Sequence, residues 1–408
     1  MGEIVAWEAM DAFSLSAEII DGLLAMKGIK ALSPIPFGVR SWRLRYLTQD
    51  RGELVESTMM LVAPDLGDGS AFPLLLFGHG TTGFTDACAP SGGGLDAWAF
   101  PMLFAAQGFV VAAPDYLGMN GFGEDAGFLH PYLVPEATAV ASLDAARAAL
   151  RFEDVVDVGV NADPSRTVLW GGSEGGFAAL WADRYVENYA PELDVVATVA
   201  LVPPTVLTAM GLYALEHPES STAFALIAAF IAHHDWYAPE PGLDLVLSDA
   251  PPRSVASRLP GEMALSCDDF PSVEGVESAE ELYSETLLAA GLAGDLSAIA
   301  PYDCFLGLAD LPTTAVPRGH DAPVLVQLSE ADDLVISDVV RPTIPELCAQ
   351  GYDIEHLECA GAGHTEGAVS SIPYQLDWIR ARLAGDPLDP ASTCVIREPV
   401  DCSVYLDP

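Results

Sequence analysis

The sequence predicts an α/β protein with a mostly parallel central sheet and helices on both faces. Three observations predict it. Short, continuously apolar runs recur at Phe72–Phe77, Phe109–Ala113, Thr167–Trp170, Val195–Val202 and Val324–Leu328. Unbroken apolar strands are those buried on both faces, and the helix-length segments between them supply the covering layers. Half of the 408 residues are hydrophobic and 19% are charged, enough apolar material for a large core.

The remaining elements follow in chain order. Up to about Lys30 the spacing of Phe13, Ile19, Ile20, Leu23 and Leu24 is helical. Val39–Leu47 and Leu54–Ala63 alternate as strands and are joined through a turn at Gly52. Between Pro203 and Pro312 the strand-and-helix rhythm stops. Apolar helical stretches (Val206–Leu215, Thr222–Ile231, Ala279–Ala293) stand there between proline-rich joints such as Pro251-Pro252. The expected organisation is a core of residues 1–202 and 313–384, a helical lid or cap at 203–312, and an irregular tail at 385–408.

The formal charge of −42 excludes whole function classes. Two lysines (Lys27, Lys30) and fifteen arginines cannot assemble a basic patch, so nucleic acid is not an expected partner. An anionic membrane surface repels such a protein, and no apolar stretch is long enough to span a bilayer. The same surface suits high salt, where screening shortens to roughly 3 Å at 1 M, or an acidic secreted protein. Seven cysteines (Cys88, Cys267, Cys304, Cys348, Cys359, Cys394, Cys402) show no CxxC spacing, which argues against zinc. Their crowding towards the C-terminal third is compatible with disulfides and a secreted or periplasmic protein, and buried thiols of a cytoplasmic enzyme are the alternative. Residues 1–30 lack a basic segment followed by an apolar run, so an exported form would already have lost its signal peptide.

Leu169-Trp170-Gly171-Gly172-Ser173-Glu174-Gly175-Gly176 holds G-x-S-x-G directly between an apolar strand and a helix at Phe177–Tyr189. A serine on a tight strand-to-helix turn needs small neighbours, and the helix N-terminus favours the negative charge that develops on a substrate oxygen. This is the context of a nucleophile in the α/β-hydrolase fold, where acid and histidine follow in that order on later strands. His364, in the glycine-rich loop after Ile354–Glu358, is the expected base among eight histidines. Asp332, after the Val324–Leu328 strand, is the first candidate acid, with Asp333 and Glu330 as alternatives. His356 lies within a strand; His233 and His234 lie in the cap region. Oxyanion donors are expected from the backbone of Glu174 and from the Gly78–Gly83 loop, with Thr81 first and Thr82 second, and His79 bracing that loop. No cofactor or metal is expected.

His79-Gly80-Thr81-Thr82-Gly83, Ala87-Cys88-Ala89-Pro90-Ser91, Pro114-Asp115-Tyr116-Leu117-Gly118, His130-Pro131-Tyr132-Leu133 and the serine segment together resemble the secretory lipase family of lipase A type, from about Arg40 to Leu383. The resemblance implies an esterase or lipase with a helical lid, and it carries the family's triad onto Ser173, Asp332 and His364. It also implies disulfides, whose pairing stays open with one cysteine left over. The expected partner is a small-molecule or lipid ester; Leu212, Phe224, Ile227, Phe230, Ile231 and Trp236 of the lid suit an acyl chain, with packing of the lid's own core as the other role, different members serving each. A carbohydrate esterase, a prolyl-oligopeptidase-like peptidase and a non-catalytic binding protein are the other readings.

Overall fold

Nine strands form one sheet: β1 (Ile4–Ala9), β2 (Val39–Asp50), β3 (Glu53–Pro64), β4 (Ala71–Gly78), β5 (Val110–Pro114), β6 (Asn161–Gly172), β7 (Val195–Leu201), β8 (Val324–Ser329) and β9 (Ile354–Cys359). The computed structural model describes every residue except 27–31, 33, 268–274 and 407–408. Across the sheet the order is β1-β2-β3-β5-β4-β6-β7-β8-β9. The first four positions pair antiparallel, and everything from β5 to β9 pairs parallel.

Strand periodicity sorts the side chains between two helical layers. Leu75 and Phe77 enter the face covered by α1 (Ala17–Met26) and α2 (Leu95–Ala106). Leu74 and Leu76 enter the opposite face, covered by α3 (Pro135–Phe152) and α4 (Glu174–Tyr189). The N-terminal expectation needs correction here. Helix α1 begins only at Ala17, and Phe13 lies in a 3₁₀ turn, stacked on Trp98 with ring centroids 4.8 Å apart. Strand β1 was not foreseen, because an edge strand with Val5 and Trp7 exposed carries no buried alternation. Lys27 and Lys30, at the end of the expected helical segment, lie outside the described residues.

Between β7 and β8 stand α5 (Leu207–Glu216), α6 (Ser221–Tyr237), α7 (Val255–Met263), α8 (Glu285–Ala293) and α9 (Tyr302–Leu308). The stretch expected to run from Ala279 to Ala293 is two pieces. A 3₁₀ turn at Ala279–Glu281 precedes α8, and the Ser284 side chain caps α8 by accepting the Leu287 N–H at 3.1 Å. Leu226, Ile227, Phe230 and Ile231 of α6 share one apolar cluster with Val324, Val326 and Leu328 of β8. These helices and the sheet therefore close over a common core.

Beyond β8 come α10 (Ser337–Val340), α11 (Thr343–Ala349), α12 (His364–Ser370) and α13 (Ile372–Leu383), the last joining α1 and α2 on their face. The tail runs back along β9 and is bound to it and to α11 by Cys359–Cys402 and Cys348–Cys394. It thereby covers the edge of the sheet, which would otherwise present unpaired backbone groups. A third disulfide, Cys88–Cys267, ties the loop after β4 to the helices above the sheet, and Cys304 is the cysteine left unpaired.

Candidate active site

Ser173 sits on the one-residue turn between β6 and α4 at φ 59°, ψ −121°, in positive-φ territory that a non-glycine residue rarely occupies. The flanking glycines explain how the turn closes. A Cβ on Gly171 would collide with the carbonyl oxygen of Gly175, and a Cβ on Gly175 would collide with that of Gly78. Glycine at these positions lets the end of β4 and the start of α4 lie in direct backbone contact. The Ser173 N–H donates to Leu201 O at 2.8 Å, which fixes the turn to β7.

His364 is the first residue of α12, and its ring bridges two groups. Nε2 lies 2.8 Å from Ser173 Oγ and Nδ1 lies 2.7 Å from Asp332 Oδ2. The Asp332 side chain is fully buried. Its Oδ1 accepts the backbone N–H groups of Leu334 and Val335, both at 2.9 Å. The two alternative acids are engaged elsewhere. Glu330 Oε2 accepts the Gly361 N–H at 2.8 Å, bracing the loop that carries His364. Asp333 is exposed, and its Oδ2 accepts from Ser221 Oγ at 3.1 Å at the start of α6.

Only His364 is hydrogen-bonded to Ser173 among the described histidines. His356 is buried in β9, where its Nδ1 accepts the Arg397 N–H and burial lowers its pKa to about 4. His233 is buried in α6 with its pKa likewise lowered to about 4 by desolvation. His234 Nδ1 lies 2.8 Å from Tyr302 Oη. His79 lies under the loop after β4, its Nδ1 2.6 Å from Gly80 O, and desolvation lowers its pKa. In the same loop Thr81 Oγ1 reaches Tyr132 Oη at 3.4 Å, whereas the buried Thr82 hydroxyl meets no partner among the described residues.

A cavity of about 370 Å³ opens on Ser173 and His364. Gly80, Thr81 and Thr82 line one side of it, while Phe77, Phe100, Trp170, Val369 and Ile372 form an apolar wall from the sheet, α2, α12 and α13. Phe77 and Trp170 are stacked with centroids 4.8 Å apart beneath it. None of Leu212, Phe224, Ile227, Phe230, Ile231 and Trp236 lines this cavity, so of the two roles expected for them only packing is seen. Ile227, Phe230 and Ile231 are consumed by packing against the sheet, and Trp236 lies against Phe128. Sequence reasoning missed the α2 and α12 walls, because a half-buried Phe100 or Val369 looks like ordinary helix core until both helices are placed.

Among the described residues no group of three or more His, Cys, Asp or Glu is placed to hold a metal ion. No described helix is long and apolar enough to cross a membrane.

Comparison with known proteins agrees with this architecture. The chain is 26% identical to a secreted triacylglycerol lipase of Malassezia globosa over 84% of its own length and 72% of that protein's. It is 30% identical to a Mycobacterium tuberculosis protein designated a probable inactive lipase, over 40% of this chain, and spans only 37% of that protein's length. The crystal structure of a rice cell wall degrading esterase from Xanthomonas oryzae superposes with a TM-score of 0.73 at 19% identity, covering 94% of this chain and 97% of that one, which shows the shared fold. The profile of the secretory lipase family matches residues 99–234 and 304–390, more than half of the sequence. The chain belongs to the secretory lipase family and has the α/β-hydrolase fold.

Proposed function

We propose that this chain hydrolyses carboxylic esters through an acyl-enzyme on Ser173, with His364 as general base and then general acid, and Asp332 as the acid that orients it. The hydrogen-bonded series Ser173–His364–Asp332 carries the reading. Asp332 accepts from Nδ1–H, which leaves Nε2 free to take the serine proton as Oγ attacks the ester carbonyl. The imidazolium then protonates the departing alkoxide, and water activated in the same way releases the acid. The backbone N–H of Glu174, at the start of α4, and that of Thr81 hold the oxyanion, with the unpartnered Thr82 hydroxyl at the cavity's edge as a further donor.

The apolar wall of Phe77, Phe100 and Trp170 supports an acyl or alkyl group over a sugar or a peptide. A cavity of about 150 Å³ holds benzene, so 370 Å³ leaves room for an acyl group well beyond acetyl. A non-catalytic role is disfavoured because nucleophile, base and acid are all present and in mutual contact. Helices α5–α9, inserted between β7 and β8, are the proposed cap on the strength of that position in the chain alone, since none of their residues lines the cavity. Three disulfides, together with the secreted Malassezia relative, support an exported protein.

The test is a p-nitrophenyl ester series from acetate to palmitate, with fluorophosphonate labelling of the chain and of Ser173→Ala. Labelling and turnover in the parent, both lost in Ser173→Ala, are expected. Turnover that survives the substitution in contaminant-free protein would overturn the proposal.

A further inference from the structure

Directly behind the nucleophile lies a buried polar cluster that the hydrolytic reading does not use. The side chain of Glu174, the residue after the serine, is 1% exposed, and its Oε1 lies 2.6 Å from His130 Nε2. The His130 side chain is 0% exposed, with Nδ1 2.8 Å from Leu117 O. A carbonyl oxygen only accepts, so Nδ1 carries hydrogen and donates to Leu117 O. The short contact on the other side of the ring then also needs a hydrogen between Nε2 and Oε1. Whether the pair is imidazolium–carboxylate or imidazole–carboxylic acid, it shares one proton and carries no net charge.

The cluster extends to the second side of the oxyanion site. The Tyr116 ring stacks on His130 with centroids 5.6 Å apart and lies against His79 at 4.3 Å. Tyr116 Oη donates to His79 O at 3.0 Å, and His79 Nδ1 donates to Gly80 O at 2.6 Å. In a trans peptide, C=O and N–H point in opposite directions. Holding Gly80 O on the His79 side therefore turns the Thr81 N–H the other way. The peptide that carries the Thr81 donor and the helix start that carries the Glu174 donor are anchored to the same three packed rings.

Resting on the reading of Ser173 as nucleophile, we propose that Glu174 and His130 are positioning residues. Their shared-proton hydrogen bond fixes the first turn of α4 and so aims the Glu174 N–H at the developing oxyanion. The Glu174 side chain cannot itself meet the substrate, being buried and not part of the cavity lining, so its effect is transmitted through its own backbone. An oxyanion donor is worth about 10²–10³ in kcat when removed outright, and misaiming it forfeits a part of that.

The experiment compares Glu174→Ala, Glu174→Gln, Glu174→Asp and His130→Ala, with Ser173→Ala as control. Each is assayed for kcat and KM on p-nitrophenyl butyrate, for fluorophosphonate-labelled sites per chain, and for inhibition by an alkyl trifluoromethyl ketone, which binds as an oxyanion-bearing adduct. Glu174→Ala and His130→Ala should lower kcat per labelled site by about 10- to 100-fold. KM should stay within about threefold, and ketone inhibition should weaken in parallel with kcat. Glu174→Gln should recover most of the loss, since its amide can donate to Nε2 while Nδ1–H stays on Leu117 O. Glu174→Asp keeps the charge but withdraws the carboxyl from His130, so it should be worse than Glu174→Gln. That comparison also decides the matter should the alanine variants fail to fold.

An unchanged kcat per labelled site in the alanine variants would overturn the proposal. So would a Glu174→Gln variant no better than Glu174→Asp, or a loss confined to thermal stability and labelled fraction. Turnover in Ser173→Ala would instead overturn the underlying nucleophile assignment.

Discussion

Replacing Asp332 by asparagine should lower kcat by about 10⁴, the penalty known for the equivalent change in a trypsin-type triad. The structure says why the damage would be chemical rather than structural. Asp332 Oδ1 accepts two backbone N–H groups, from Leu334 and Val335, both at 2.9 Å. An asparagine must keep its oxygen there, because an NH₂ group would face two donors. Its NH₂ then occupies the place of Oδ2, 2.7 Å from His364 Nδ1 in the parent. His364 can meet that donor only as the Nε2–H tautomer, which presents hydrogen rather than a lone pair to Ser173 Oγ. The base is thereby disabled while every backbone contact of the loop survives. The assay is kcat on p-nitrophenyl butyrate, with circular dichroism melting as the control for folding. The melting temperature should move by only a few degrees, because neither packing nor the two backbone bonds change. Asp333→Asn, which alters an exposed contact to Ser221, should stay within about twofold of the parent. Asp332→Asn activity above a tenth of the parent value, or a larger loss in Asp333→Asn or Glu330→Gln, would refute the reasoning.

Four other outcomes are expected. Gly175→Ala should cost about 3 kcal/mol or more, since its Cβ meets the Gly78 carbonyl backbone to backbone; a parent-like urea midpoint would contradict this. Converting both Cys348 and Cys394 to serine releases a loop closed over a sequence separation of 46 and should destabilise by up to about 4 kcal/mol, read as a fall in the denaturant midpoint under non-reducing conditions. Melting temperature should rise from low salt to 2 M sodium chloride, because 59 acidic against 17 basic residues repel one another more in the folded state; a flat or falling response would point to local carboxylate pairing instead. His233 has its pKa lowered by burial from 6.5 to about 4, so below pH 6.5 the unfolded chain binds a proton that the folded chain does not. Stability should therefore fall as pH drops from 6.5 towards 4, by up to roughly 3 kcal/mol from this group, and His233→Gln should flatten that slope in melts taken across the range.

What the sequence by itself determined is local. The apolar runs that become β4 to β8, the hairpin of β2 and β3, and the strand–Ser173–helix junction all rest on interactions within a few residues: burial on both faces, alternation, and glycine where no Cβ fits. The candidates Ser173, Asp332 and His364, which the fold brings into one hydrogen-bonded series, are equally legible, because each stands in a loop directly after a readable strand. The short edge strand β1 was not, since its partner β2 is distant in sequence and its own residues bury little.

Only the tertiary structure decided between neighbours and between faces. Glu330, Asp332 and Asp333 all carry carboxylates in one loop, and the sequence could rank Asp332 first without excluding its neighbours. The turn after β8 directs one to Gly361, one to His364 and one to Ser221. The cysteine pairs depend on where the tail and the Cys267 loop come to rest, and the cavity wall on how α2 and α12 are placed beside Trp170. The Glu174–His130 pair joins residues 44 apart on two elements that meet only in the fold. Composition and spacing report what each residue can bury or bond, whereas partner choice at long range is set by the packing of the whole sheet and its helices.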